Sequence, residues 1–185
     1  MTPIPQERFQ ELVDAVCDDT YTPEDLQTFG EIEHWDVSEI RDMEEAFAGR
    51  ETFDRDLSRW NVSRAVSMRR MFCGAKAFNA PLGRWNVSRV EDMSGMFEDA
   101  ERFNQPVGEW NVAHVANMRR MFAGARLFNQ PLESWDVRGV LDADGLFAGA
   151  RRFNQSLGAW DLSGAERAER MFVGADAFRQ ARPRR

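Results

Sequence analysis

Residues Trp85 to Glu109 read WNVSRVEDMSGMFEDAERFNQPVGE, and the stretches on both sides are copies of it. All six tryptophans, Trp35, Trp60, Trp85, Trp110, Trp135 and Trp160, fall 25 residues apart without a slip. Two phenylalanine series keep the same period: Phe47, Phe72, Phe97, Phe122, Phe147 and Phe172, then Phe53, Phe78, Phe103, Phe128, Phe153 and Phe178. A strict period of this length marks each unit as one supersecondary element that cannot bury its apolar face alone and must stack on its neighbours.

Inside the repeat the apolar positions follow two patterns. Trp85 and Val87 alternate with polar Asn86 and Ser88, the mark of a short strand with one face inward. A residue able to cap a helix then stands at Asp42, Ser67, Asp92, Asn117 and Asp142. Met93, Met96 and Phe97 follow at helical spacing, and Gly49, Gly74, Gly124, Gly149 and Gly174 come two residues after the Phe, where positive φ would end a helix. The pattern therefore predicts an α/β fold, a solenoid of six 25-residue strand-helix coils over residues 35–185. In the return loops, Asn79, Asn104, Asn129 and Asn154 should form an internal amide ladder, with Asp54 and Arg179 at its ends.

Residues 1–34 read as an N-terminal helical cap, because a repeat stack exposes an apolar end face unless a terminal element covers it. Phe9, Leu12, Val13 and Val16 predict an amphipathic helix from Pro5 to Cys17, and Thr22-Pro23 with Asp25 predicts the start of a second short one. Leu12, Val13, Val16, Leu26 and Phe29 should cover the first coil.

The unit WNVSRVEDMSGMFEDAERFNQPVGEW resembles the 25-residue repeat of the BspA-like leucine-rich-repeat surface protein family, over residues 35–182. The resemblance implies a right-handed, leucine-rich-repeat-like solenoid and a role in adhesion or other protein contacts. It supplies no catalytic residues.

Composition narrows the classes. The aromatic load, 14 Phe and 6 Trp, excludes a disordered chain, and no apolar run is long enough for a membrane span. The start, MTPIPQERF, has neither the charged region nor the apolar run of a secretory signal, which favours the cytoplasm over a cell-surface or secreted setting. Cys17 and Cys73 read as reduced structural thiols. Residues 1–34 carry nine acidic side chains against the single base Arg8, a net −8, whereas the chain ends in Arg182-Pro183-Arg184-Arg185. That short tail reads as a solvated terminus and not as the basic stripe that nucleic acid requires. The acidic front and basic end allow a monomer or a weak end-to-end oligomer.

No catalytic, cofactor-binding or metal-ligating constellation stands out, since His34 and His114 lack Cys or carboxylate partners at metal spacing. The expected function is a non-enzymatic module binding an unidentified protein through its strand face. The candidate contact residues are Asn61, Arg64, Asn86, Arg89, Asn111, His114, Asp136 and Arg138, a polar strip of variable positions beside the tryptophans. A second basic group, Arg69, Arg70, Arg119 and Arg120, alternates with Ser94 and Gly95 on the opposite side of the repeat.

Burying a tryptophan removes about 200 Å² from water, roughly 5 kcal/mol gross at ~25 cal/mol/Å². Trp110→Ala should therefore destabilise the protein by about 3–5 kcal/mol. A thermal melt overlaying that of the parent would contradict the buried-tryptophan assignment.

Overall fold

The computed structural model describes residues 2–184. Helices α1 (Gln6–Cys17) and α2 (Pro23–Phe29) open the chain, followed by a 3-10 turn at Ile32–His34. Pro5, which has no N–H to leave unpaired, precedes α1, and Phe9, Leu12 and Val13 form its buried face. The Thr22 hydroxyl accepts the Asp25 N–H at 3.1 Å to cap α2, with Pro23 in its first turn. Phe29 is buried, but Leu26, assigned to the interface from sequence, is 43 % exposed.

From Trp35 onward the expected α/β alternation is absent. Among the described residues the repeats contain neither a helix nor a strand, so the strand-helix solenoid does not describe this chain. Each 25-residue repeat is instead a layer of consecutive turns, joined to the next by a single parallel bridge, as at Ser67–Asp92 and Asp92–Asn117. The strand predicted from the alternation of Trp85 and Val87 with Asn86 and Ser88 is instead the junction of two turns, closed by Trp85 N–H to Leu82 O and Val90 N–H to Val87 O.

The predicted helix fails because its N–H groups serve two directions. Those of Met93, Gly95, Phe97 and Asp99 donate to the carbonyls of Asn117, Arg119, Met121 and Ala123 in the next layer, at 2.7–2.9 Å. The N–H groups between them, on Met96, Glu98 and Ala100, turn back to the carbonyl three residues earlier. An α-helix would keep all of them within itself and leave nothing for the neighbouring layer. The capping residues do cap, but they open a turn: Asp92 Oδ1 accepts Ser94 N–H at 2.7 Å, and Asn117 Oδ1 accepts Arg119 N–H at 3.0 Å.

This turn ridge needs left-handed backbone at two positions four residues apart. The first is held by Glu45, Arg70, Gly95, Arg120 and Gly145, and the second by Gly49, Gly74, Asp99, Gly124, Gly149 and Gly174. The glycines after the first Phe thus have the positive φ expected of them, within a repeating turn and not at a helix end.

Three aromatic columns fill the interior. The tryptophans are at most 4 % exposed, with ring separations of 6.1–6.4 Å between neighbours such as Trp60 and Trp85. The first Phe column stacks at 5.3–5.8 Å and the second at 5.9–6.1 Å. Trp35 Nε1 donates to Gly30 O at the end of α2, and each later indole N–H reaches back 28 residues, Trp110 Nε1 donating to Leu82 O at 3.1 Å and Trp135 Nε1 to Val107 O at 3.0 Å. The amide ladder runs beside them. Asn79 Oδ1 accepts Asn104 N–H, Asn104 Oδ1 accepts Asn129 N–H and Asn129 Oδ1 accepts Asn154 N–H, each at 2.9 Å. Asp54 and Arg179 end the series as acceptor and donor.

The two ends close differently. At the first layer the Gln6 side chain imitates a missing backbone: Oε1 accepts the N–H groups of Arg41 and Asp42, while Nε2 donates to Asp42 O. Gln10 Nε2 does the same for Ala46 O, and Phe9 lies edge-on to Trp60. At the far end the described arginines of the basic tail, Arg182 and Arg184, are exposed as read from composition, but the tail also touches the last layer. Pro183 is buried, the Arg182 guanidinium lies 5.8 Å from the Phe172 ring centroid, and Leu162 N–H donates to Arg184 O at 2.9 Å.

Left-handed backbone costs an L-residue about 1–2 kcal/mol, and glycine's extra unfolded-state freedom offsets part of the relief. Asp99→Gly, at φ +55°, should stabilise the protein by about 0.5–1 kcal/mol. Gly124→Ala, at φ +70° with a new Cβ only 2.0 Å from Asp99 Oδ1, should destabilise it by about 1–2 kcal/mol or more. Combining the two should reduce the alanine's cost, and chemical denaturation of the four proteins measures that coupling.

Candidate functional site

The eight sequence-predicted contact residues are all exposed. They do not lie on the face of a sheet. Asn61, Asn86 and Asn111 each turn Oδ1 onto the N–H two residues ahead, on Ser63, Ser88 and Ala113, at 3.2 Å, and Asp136 does the same for Arg138. Asp36 and Asp161 continue the row at the two ends. The strip is therefore an edge of stacked side-chain-closed turns. Its asparagines have a local structural task, whereas their neighbours Arg64, Arg89 and His114 project outward without one.

The structure brings only some of these residues together. Arg64, Asn86 and Arg89 join Arg41, Ser63 and Ser88 around a shallow polar depression of about 520 Å³. Arg64 is ion-paired with Glu39, whereas Arg41 and Arg89 have no side-chain partner among the described residues. Arg41 was missed in the sequence. It occupies a repeat position held elsewhere by Val66, Glu91, Ala116, Leu141 and Glu166, so no series announces it. His114 and Asp136 stand farther along the edge, outside the depression.

Arg138 is engaged by its own turn. Its Nε and Nη2 donate to the two oxygens of Asp136 at 2.8 and 2.7 Å, and these bonds, together with its backbone N–H, hold the Asp136 carboxyl down at about 2. That charge is largely used internally. The Ser38 and Ser163 hydroxyls, together with the backbone N–H groups of the same turns, pull Asp36 and Asp161 below the ordinary carboxylate range.

On the turn ridge, Arg69, Arg70, Arg119 and Arg120 flank Ser94 and Gly95 around a second depression of about 460 Å³. Three of the four arginines already meet a carboxylate: Arg69 with Glu44 at 3.0 Å, Arg70 with Glu45 at 3.1 Å and Arg120 with Glu98 at 2.7 Å. Two layers on, Asp144 occupies the position of Ser94. It is buried and bonded to Arg170 Nη2 at 2.5 Å, and that bond lowers its pKa. A further depression, about 690 Å³, runs beside Pro106 and Pro131. Its polar groups are Glu109, Glu133 and Ser134, the last already bonded to Gly108 O, so it holds no convergent chemistry. Among the described residues no three of His, Cys, Asp and Glu gather as metal ligands. No described helix is long and apolar enough to cross a membrane.

These features define a tandem-repeat protein of stacked 25-residue layers with a variable polar edge. A family model described as "Mycoplasma protein of unknown function, DUF285" matches residues 20–126 and again residues 81–184. The chain belongs to that family. The match supports the repeat and not a leucine-rich repeat in particular, in keeping with the absence of repeat strands. No curated protein and no solved structure matches the chain.

The Asp136–Arg138 pair gives a direct test of the edge. Arg138→Ala should raise the Asp136 pKa from about 2 toward the ordinary ~3.9, followed by carboxyl chemical shifts. A depressed folded-state pKa adds stability above the unfolded value and loses it as pH falls through the folded one. The pair's contribution should therefore fade between about pH 4 and pH 2. An Asp136 titration unchanged by the substitution would show that the pair does not persist in solution.

Proposed function

We propose that this protein is a non-enzymatic interaction module that binds an acidic segment of another protein along its edge of side-chain-closed turns, in the cytoplasm. The observation that carries the reading is the depression between Arg41, Arg64 and Arg89. Of the three guanidinium groups on this repeated backbone, only that of Arg64 has a carboxylate partner among the described residues, Glu39. Guanidinium groups take carboxylates in bidentate geometry, and rigidity reduces the ordering cost of binding. Serines and asparagines between the arginines add polar groups with spare capacity toward a peptide backbone. Cys17 and Cys73, both free thiols, support a reducing compartment.

A second reading, a surface or secreted adhesin, is supported by the resemblance of the repeat to BspA-like surface proteins. Fractionation of cells with an antibody to this chain separates the two, since protein found only at the surface would remove the cytoplasmic reading.

The contact surface is tested by affinity capture from native lysate with the parent and an Arg41→Glu/Arg64→Glu/Arg89→Glu variant whose melt is unchanged. The variant should lose at least about tenfold in recovery of any partner held through the depression, given that reversing charges opposite a carboxylate costs more than 1.4 kcal/mol. Equal recovery by both proteins would exclude the depression as the contact surface. The Arg69, Arg70, Arg119 and Arg120 ridge would then be substituted next.

A further inference from the structure

Along the turn ridge, the column of Glu44, Arg69, Ser94, Arg119, Asp144 and Glu169 carries a charge in every layer except that of Ser94, whose neighbour is Gly95. The ridge is therefore interrupted in one layer, in the middle of the stack, with Arg69 and Arg70 on one side and Arg119 and Arg120 on the other. This interruption is the ridge depression of about 460 Å³. Gly95 keeps it low: a Cβ there would stand 3.0 Å from Arg70 Cγ, so the arginine stem lies across the glycine.

Asp144 shows what this ridge position does when it bears an anion. Its Oδ1 accepts the Arg170 N–H at 3.1 Å, and its two oxygens meet Arg170 Nε at 3.2 and 3.1 Å. Ser94 stands in the same relation to Arg120 and has no anion to offer. Arg120 turns instead to Glu98 Oε1, at 2.8 Å, while the Ser94 hydroxyl and the Arg119 guanidinium have no partner among the described residues. The two acidic groups of the depression are already engaged, Glu98 by Arg120, and Asp92 by Ser94 N–H and Asn117 Nδ2. Arg69 and Arg70 meet Glu44 and Glu45 through Nη1 and Nε and keep other N–H donors. Those pairs are exposed, and exposed pairs hold weakly against a competing dianion.

We propose that this interruption binds the phosphate group of a phosphate monoester. A carboxylate is planar, and one guanidinium fork satisfies its two oxygens. The three terminal oxygens of a monoester can instead be shared between forks from two layers and the Ser94 hydroxyl. Its charge of about −1.5 to −2 at pH 7 answers the excess of arginines over Asp92 and Glu98 around the depression. The depression is open to solvent, so the ester oxygen and its substituent point outward. This site lies apart from Arg41, Arg64 and Arg89 and does not rest on the reading of that edge.

Amide NMR on the full chain, titrated with glycerol 2-phosphate at a constant ionic strength of about 0.1 M, tests this. The amides of Ser94, Gly95 and Arg119 should shift together and saturate by about 10 mM. Acetate at the same ionic strength should bind at least about tenfold more weakly. Ser94→Asp, which installs the Asp144 arrangement, should keep or raise the melting temperature and lose at least about tenfold in affinity. Arg119→Gln, at an exposed side chain without a partner, should lose a similar factor with an unchanged melt. No saturable shift at these amides, acetate bound as tightly, or undiminished affinity in either folded variant overturns the proposal. Inorganic phosphate bound while glycerol 2-phosphate is refused overturns it as well, since the site would then take the free ion and not an ester.

Discussion

The structure depends on one arrangement of the backbone: within the turn ridge, every second N–H closes a turn and the others reach the next layer. Neither half suffices alone. Turns without the inter-layer bonds would be isolated and marginal, and inter-layer bonds without the turns would leave the chain unable to close a circuit in so few residues. The alternation ties local conformation to long-range pairing, so a layer is complete only when its successor is present. This is why the register is held at 25 residues from Trp35 to Trp160 without an insertion. A one-residue slip would move an N–H from the ridge bond to the turn bond, and it would also offset the ring columns that share the same spacing.

The aromatic columns and the amide ladder act on that frame in different ways. The rings supply most of the apolar burial and stack at 5.3–6.4 Å. The polar groups they would otherwise strand are answered in series, each indole after Trp35 by a carbonyl 28 residues back and each loop N–H by the preceding Asn or Asp. No buried side-chain nitrogen or oxygen among the described residues is left without a partner. The cost falls on the backbone, in left-handed residues such as Glu45, Arg70, Asp99 and Arg120. Their tolerance is understandable: they lie at the surface, their side chains are not needed in the core, and most of them enter ion pairs that run between layers.

Variation on such a frame is confined to positions that the columns and ladders do not use. Arg41, Arg64 and Arg89 stand at such positions on one edge, and the Arg69–Arg70 and Arg119–Arg120 pairs on the ridge. Carboxylates in neighbouring layers neutralise the ridge arginines more completely than those of the edge. That difference distinguishes two basic surfaces that look alike in composition. It follows from which residue stands one layer earlier: Glu44 and Glu45 precede Arg69 and Arg70 by 25 residues, whereas Arg89 is preceded by Arg64.

Much was legible in the sequence because a tandem repeat writes its long-range contacts as local periodicity. The period, the buried Trp and Phe columns, the Asn ladder and both N-terminal helices follow from residue type and spacing alone. The strand and the helix inside the repeat did not. Apolar residues at Met93, Met96 and Phe97 sit on one side of an α-helix, but consecutive three-residue turns place them on one side as well, so burial periodicity cannot separate the two. The glycines at 145 and 149, two left-handed positions within one layer, were the available hint. What decides between the conformations is where each N–H goes, and half of them go to another layer. Only the tertiary structure contains that information. The same holds for Arg41, which has no series to announce it, and for the burial of Pro183 between two exposed arginines of the tail.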